Sequence, residues 1–335
     1  MDLSVPAEVA HAAGMTRDFV ESHLPIAGAG MGLAELAPMV ARSPLAHFAV
    51  FRELGRVPAA WAETFRAARL PFHDLSTAGL SVDDPGLLAL AIGDPRREAG
   101  DDAPGIEARP VHGGAWELHG VARAPGYLAP VDSVLVAARL ADEPRDLGLL
   151  LVLAASPAPA WSSGDLLRLP LAATPARLLA RGPDAWPCVL RLRRRQRLSQ
   201  IALAVGAATG AHESSLAAAR EATAAKDPLA LGQGVQFQVA DNAIDLQVAE
   251  TLALHCATLA EAGTLDHATL ASTRFMVLDA FARIAERASH VANLFATTPL
   301  PWTEFFPDLA RRLKLEGGAV ELDRRQAARG LLQSA

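Results

Sequence analysis

The sequence predicts an α+β protein with helices at both ends and a β unit between them. Three observations carry this. Up to about residue 80, apolar residues recur at helical spacing, interrupted by Gly and Pro. From Pro85 the pattern changes to short runs rich in Val, Leu and Trp, separated by turn residues. After a Pro- and Ala-rich stretch over 155–187, helical spacing returns and holds almost to the end. The implied divisions are 1–85, 86–190 and 191–335. This order of elements narrows the fold without naming a reaction.

Within the first division a longer helix is expected over Leu33–Leu54. In the second, strands are expected over Leu87–Ile92, Ala115–Leu118, Ser133–Ala138 and Gly148–Ala154. The third begins with a helix over Ser199–Ala224. In the next helix Ile244, Val248, Leu252, His255 and Leu259 follow steps of four, four, three and four, which places them on one face. Phe281, Ile284, Ala288, Val291 and Phe295 repeat that pattern. A helix near Trp302–Leu313 completes a four-helix bundle, whose many Ala and Gly residues permit close helix approach.

At 335 residues and 51% hydrophobic content, the chain is long enough for two or three units with sizeable cores. A formal charge of −6 gives no general attraction for nucleic acid or an anionic membrane, so a small molecule or another protein is the expected partner. Cys188 and Cys256 lack metal-ligand spacing and read as buried thiols in a reducing compartment. His119, His212 and His255 have no ligand-like spacing either, and no metal site is expected; His255 reads as a hydrogen-bonded core residue on its apolar stripe. The N-terminus lacks the basic start and apolar core of a signal peptide. No run reaches the roughly 18 apolar residues that span a bilayer. A cytoplasmic location is expected.

The stretch Leu229–Asp241, LALGQGVQFQVAD, resembles the acyl-CoA dehydrogenase segment in which a Gln, then Val-Gln, then Ala-Asp open the second bundle helix; here these are Gln233, Val235, Gln236, Ala240 and Asp241. Arg197 and Gly206 match an Arg and a Gly of that family's preceding helix. Trp116, Gly120, Asp132 and Arg139 resemble its Trp and Gly strand pair, and Glu53, Leu54 and Gly55 resemble an earlier helix. The resemblance covers nearly the whole chain in the family's order. It implies an acyl-CoA dehydrogenase-like fold, in which the central unit is a β-barrel-like domain. The distance from Glu53 to Pro95 is shorter than is usual there, in a region whose helices wall the acyl pocket.

The resemblance also implies a chemistry. Family members remove a proton α to a thioester carbonyl with a Glu, while FAD takes a hydride from the β carbon. In one branch the Glu lies in a late Tyr-Glu-Gly-Thr run, which falls on Leu315, Glu316, Gly317 and Gly318. Glu316 is the candidate base. The alternative is a solvated helix end carrying Lys314 and Glu316, capped by Gly317. A second branch places its Glu immediately before the Arg matching Arg197, but that residue is Gln196, and an amide cannot be this base.

The implied flavin contacts are altered. The family's Leu-Thr-Glu-Pro run beside the flavin ring becomes Ile92, Gly93, Asp94 and Pro95. The Arg-x-x-Phe-Gly motif, whose Arg binds the diphosphate across a subunit interface, becomes Ala222, Ala225 and Lys226. A Gly-Gly pair that admits the next subunit falls on Ala292 and Asn293. Trp116 and Gln233 complete the implied cofactor-facing set. FAD is therefore expected to be weakly held, dependent on a partner, or lost.

The basic run Arg191, Arg193, Arg194, Arg195 and Arg197 opens a helix, where positive charge opposes the macrodipole. It reads as a solvated face paired with acids, or as a contact for a CoA or carrier-arm phosphate. The leading functional expectation is an FAD-dependent oxidoreductase of lipid metabolism that desaturates an acyl-CoA or acyl-carrier thioester as a homodimer, tetramer or heteromer. The alternatives are a degenerate, non-catalytic subunit beside an active homologue, and a flavin-free repurposed fold.

Overall fold

The computed structural model describes residues 7–23, 40, 43–58, 75–76, 78–80, 88–92, 106–112, 114–125, 133–142, 147–153, 166–296, 298, 300–316 and 320–333. The chain divides into two compact units: one of Met1–Ala62, Leu198–Lys314 and Asp323–Ala335, the other of Glu63–Arg197 and Leu315–Leu322.

The first unit is helical. It contains α1 (Ala7–His23) and α2 (Pro44–Gly55), most of α3 (Ala185–Ala224), then α4 (Gln233–Glu261), α5 (His267–Phe295), α6 (Pro301–Leu315) and α7 (Glu321–Gln333). Only the C-terminal part of the expected Leu33–Leu54 helix lies among continuously described residues, and it forms α2. Ser43 caps α2 by accepting from the Ala46 N–H at 3.2 Å, with Pro44 following in the first turn. Asp266 caps α5 in the same way from Thr269 at 2.8 Å, which holds its carboxyl below the usual range.

Close approach of α2 and α3 explains two of the glycines. A Cβ on Gly206 would lie 2.0 Å from the Arg52 carbonyl oxygen, and one on Gly210 would lie 1.9 Å from that of Arg56. Beside this contact Glu53, 2% exposed, accepts from Arg17, Arg52 and Arg56.

On α5 the expected face is the buried one: Phe281, Ile284, Ala288 and Val291 are all fully enclosed. On α4 the outcome differs. The enclosed side is small and partly polar, with Asn242, Ala249, Ala253, Cys256 and Ala257, while Ile244 (60% exposed) and Val248 (48%) face outward. His255 is half-buried rather than a core residue. Close packing against a neighbouring helix selects small side chains and leaves the bulkier stripe outside.

The second unit is built on a six-stranded sheet: β1 (Leu88–Ala91), β2 (Glu107–Pro110), β3 (Trp116–Pro125), β4 (Ser133–Leu140), β5 (Leu147–Leu153) and β6 (Leu166–Arg181). The order is β1-β4-β2-β3-β6-β5, and β5 also pairs with β4. That last pairing closes β4, β2, β3, β6 and β5 into a ring, with β1 parallel to β4 alongside β2, so the central unit is barrel-like as expected. Alternation along β4 divides the core: Val134, Val136, Ala138 and Leu140 join Trp116 and Leu118 on the face shared by every strand. Leu135 and Ala137 join Ile92 and the first turns of α3, including Cys188 and Leu192, on the other.

The Pro- and Ala-rich stretch before α3 contains the 16-residue strand β6, which its composition did not indicate. Cys188 and Cys256 are both buried, and neither is in a disulfide. Among the described residues no cluster could hold a metal, and no helix is long and apolar enough to cross a membrane.

Candidate active site

The first turns of α3 gather the site within the second unit. Leu192 is buried at the helix–sheet contact, and this brings its neighbours Arg193 and Gln196 to surrounding loops. Three residues apart, they share a helix face. Arg193 donates from Nε (2.8 Å) and Nη2 (2.5 Å) to the Ile92 carbonyl, at the end of β1 where the flavin-ring run was expected. Part of the basic run thus has a backbone carbonyl among its partners. Ile92 itself is 3% exposed. Gly93 and Asp94 lie outside the described residues.

Gln196 donates from Nε2 to Glu316 Oε1 at 2.9 Å. Gln196 is 8% exposed and Glu316 only 3%, so Glu316 is not the solvated helix end that was its alternative reading. The neighbouring Lys314 is half-buried and donates to Asp279 at 3.2 Å. Glu316 occupies the turn directly after α6; Gly317 and Gly318 lie outside the described residues. The two positions at which the resemblance places alternative bases, 120 residues apart in sequence, are therefore in contact. An enclosed carboxylate held by an amide donor has what a base needs: an acceptor oxygen, a set orientation and little competing water.

In the first unit, Arg274 ties the end of α6 to the start of α7. Its guanidinium donates to the Leu313 carbonyl (3.2 Å), to Asp323 and to Gln200 Oε1 (2.7 Å). Arg274 and Asp323 are each 1% exposed. Arg193 was noted from sequence only as part of the basic run, and Arg274 was not singled out. For Arg274 a signal existed: it falls on the buried α5 stripe between Leu270 and Leu278, where an unmatched charge requires a partner.

The remaining expected cofactor residues are each placed within their own unit. Trp116, 7% exposed, packs in the core shared by the strands. Gln233 opens α4 and is exposed; Ala292 is enclosed and Asn293 exposed. At the end of α3, Asp227 and Lys226 donate to the Ala222 and Thr223 carbonyls, both at 3.0 Å, and Lys226 has φ +60°. This is the two-bond helix stop that normally places Gly at the left-handed residue. The family's turn Gly was matched to Lys226, so the backbone retains the turn although the residue has changed. Ala222, matched to the diphosphate-binding Arg, is 8% exposed and offers no guanidinium.

Comparison with known proteins adds the following. Residues 186–332 match the family model described as acyl-CoA dehydrogenase, C-terminal domain. No curated protein matches the sequence. Among solved structures, butyryl-CoA dehydrogenase from Megasphaera elsdenii aligns with TM-score 0.78 at 15% identity, covering 99% of this chain and 100% of that one. The ChsE4–ChsE5 complex from Mycobacterium tuberculosis aligns with TM-score 0.75 at 18% identity, covering 99% of each chain. A variant of the Tcur3481–Tcur3483 steroid ACAD aligns with TM-score 0.74 at 22% identity, again over 99% of each. At these identities the structural likeness speaks for the fold.

Proposed function

We propose, from the match of residues 186–332 to the acyl-CoA dehydrogenase C-terminal domain and the acyl-CoA dehydrogenase-like fold of the chain, that Glu316 removes the α-proton of an acyl thioester. The observation that carries the reading is the enclosed Glu316 carboxylate held by Gln196. One carboxylate oxygen takes the proton from the α carbon, and the electron pair left behind delocalises onto the thioester oxygen. The thioester is bound to CoA or to a carrier arm, and the overall reaction is α,β-desaturation in a flavoprotein oxidoreductase.

Since Ala222 leaves a diphosphate without its guanidinium, FAD is assigned to an assembly in which a homologous subunit contributes that group. The outward Phe237 (58% exposed), Ile244 and Val248 of α4 supply an apolar face for such an oligomer. That one similar solved structure is a ChsE4–ChsE5 complex is in keeping with a mixed assembly.

The test is Glu316→Gln, which keeps the shape and the contact but not the basicity. Substrate-dependent flavin reduction by the assembly should be lost, with oligomeric state and melting temperature nearly unchanged. Unchanged turnover would remove Glu316 from the mechanism. The second reading is a non-catalytic subunit whose homologue performs the chemistry; it is favoured by Ala222 and predicts the unchanged turnover.

A further inference from the structure

We infer that Gln196 is a positioning residue, whose amide holds one oxygen of the Glu316 carboxylate and so sets the direction from which the base meets the α carbon. This rests on the reading of Glu316 as base. Glu316 directly follows the last residue of α6, and a Glu side chain has three torsions, the last of them broad. Packing alone encloses such a group without orienting its carboxylate. A donor at 2.9 Å to one named oxygen does orient it, and a bond to an ionised acceptor in an enclosed site is among the stronger kinds.

The donor is itself fixed. Gln196 lies on α3 between the buried Leu192 and the fully enclosed Ser199 and Gln200. Three residues before it, Arg193 ties the same helix face to the Ile92 carbonyl. The residue type also fits the task. An amide donates to the carboxylate without taking up the proton that the base must carry, whereas an acid at this position would compete for it.

The experiment isolates proton removal from oxidation. Exchange of the α-hydrogens of butyryl-, octanoyl- and glutaryl-CoA for deuterium in D2O is followed by mass spectrometry, and thioester affinity is measured in parallel by calorimetry. No flavin step contributes to this readout. In Gln196→Met, which keeps the length and removes the donor, exchange should slow about 10- to 100-fold, the range for losing a hydrogen bond to a charged group. Thioester Kd should change less than about twofold, because a misaimed base costs rate rather than binding. Should Gln196→Met not fold, Gln196→Asn withdraws the same amide by one methylene and should show the same split. Exchange within about twofold of the unmodified protein in the folded variant would overturn the inference. If Glu316→Gln still exchanges, or if the unmodified protein exchanges none of the three thioesters, the base reading falls and this inference with it. Loss of exchange in Glu316→Gln beside normal exchange in the Gln196 variant would overturn the positioning role alone.

Discussion

The Arg52 carbonyl oxygen stands 2.0 Å from the point a Cβ on Gly206 would occupy, so the α2–α3 contact exists only because position 206 has no side chain. Gly206→Ala should destabilise the protein by about 2–3 kcal/mol despite the better helix propensity of Ala, since a backbone carbonyl cannot rotate away. Gly14 on α1 has nothing within 4 Å of its Cβ position. There the same change should stabilise by up to about 1 kcal/mol. Thermal melts of the two variants should move in opposite directions.

Lys226 holds a left-handed conformation at the end of α3 with its side chain exposed. Lys226→Gly should relieve that strain and raise stability by about 0.5–1 kcal/mol, part of the gain being offset by the greater chain entropy of Gly. Urea unfolding measures the difference.

The enclosed Arg274–Asp323 pair yields a double-variant prediction. Asp323→Asn leaves a guanidinium without its counter-charge and should cost about 3–5 kcal/mol. Arg274→Met combined with Asp323→Leu should recover much of that loss, because an apolar pair carries no desolvation cost. Additive losses would show that the two side chains act independently.

The pH dependence of stability should include a contribution from Glu53. Burial alone would raise its carboxyl, but hydrogen bonds from Arg17 and Arg56 outweigh that and hold it below its ordinary value of 4.5. A depressed carboxyl stabilises above the unfolded-state value and loses that contribution as pH falls through the folded-state value. Glu53→Gln should therefore be less stable than the unmodified protein at neutral pH, and the gap should narrow below pH 4.5. A gap independent of pH between neutrality and strong acid would contradict the assignment.

Flavin content should separate the lone chain from its assembly. The absent guanidinium at Ala222 and the changed Gly93 and Asn293 each remove on the order of 1–3 kcal/mol from cofactor binding, and any two together weaken it by tens to thousands of fold. Purified alone, the protein should show little flavin absorbance. Copurified with a homologous subunit that retains the Arg, it should carry about one FAD per pair. Full occupancy in the lone chain would overturn the reading of these positions.

The sequence by itself determined the elements whose cause is local. The bundle helices follow from apolar spacing within a few residues, and β1, β4 and β5 from short apolar runs that appear close to their observed bounds. Two strands were not legible. β2 is Glu-Ala-Arg-Pro, with no apolar run, and β6 contains Pro170 and Pro175, which locally argue against a strand. Both become strands because β3 pairs with them over a length that no local preference encodes. Likewise α4 has two apolar sides, and only its packing partners decided that the small residues face inward and Ile244 outward. Glu316 and Gln196 could each be matched to a base position from sequence. That one holds the other was decided by the tertiary structure, because the contact joins the start of α3 to the end of α6 and depends on where those helices run, while sequence spacing reports only the few residues around each.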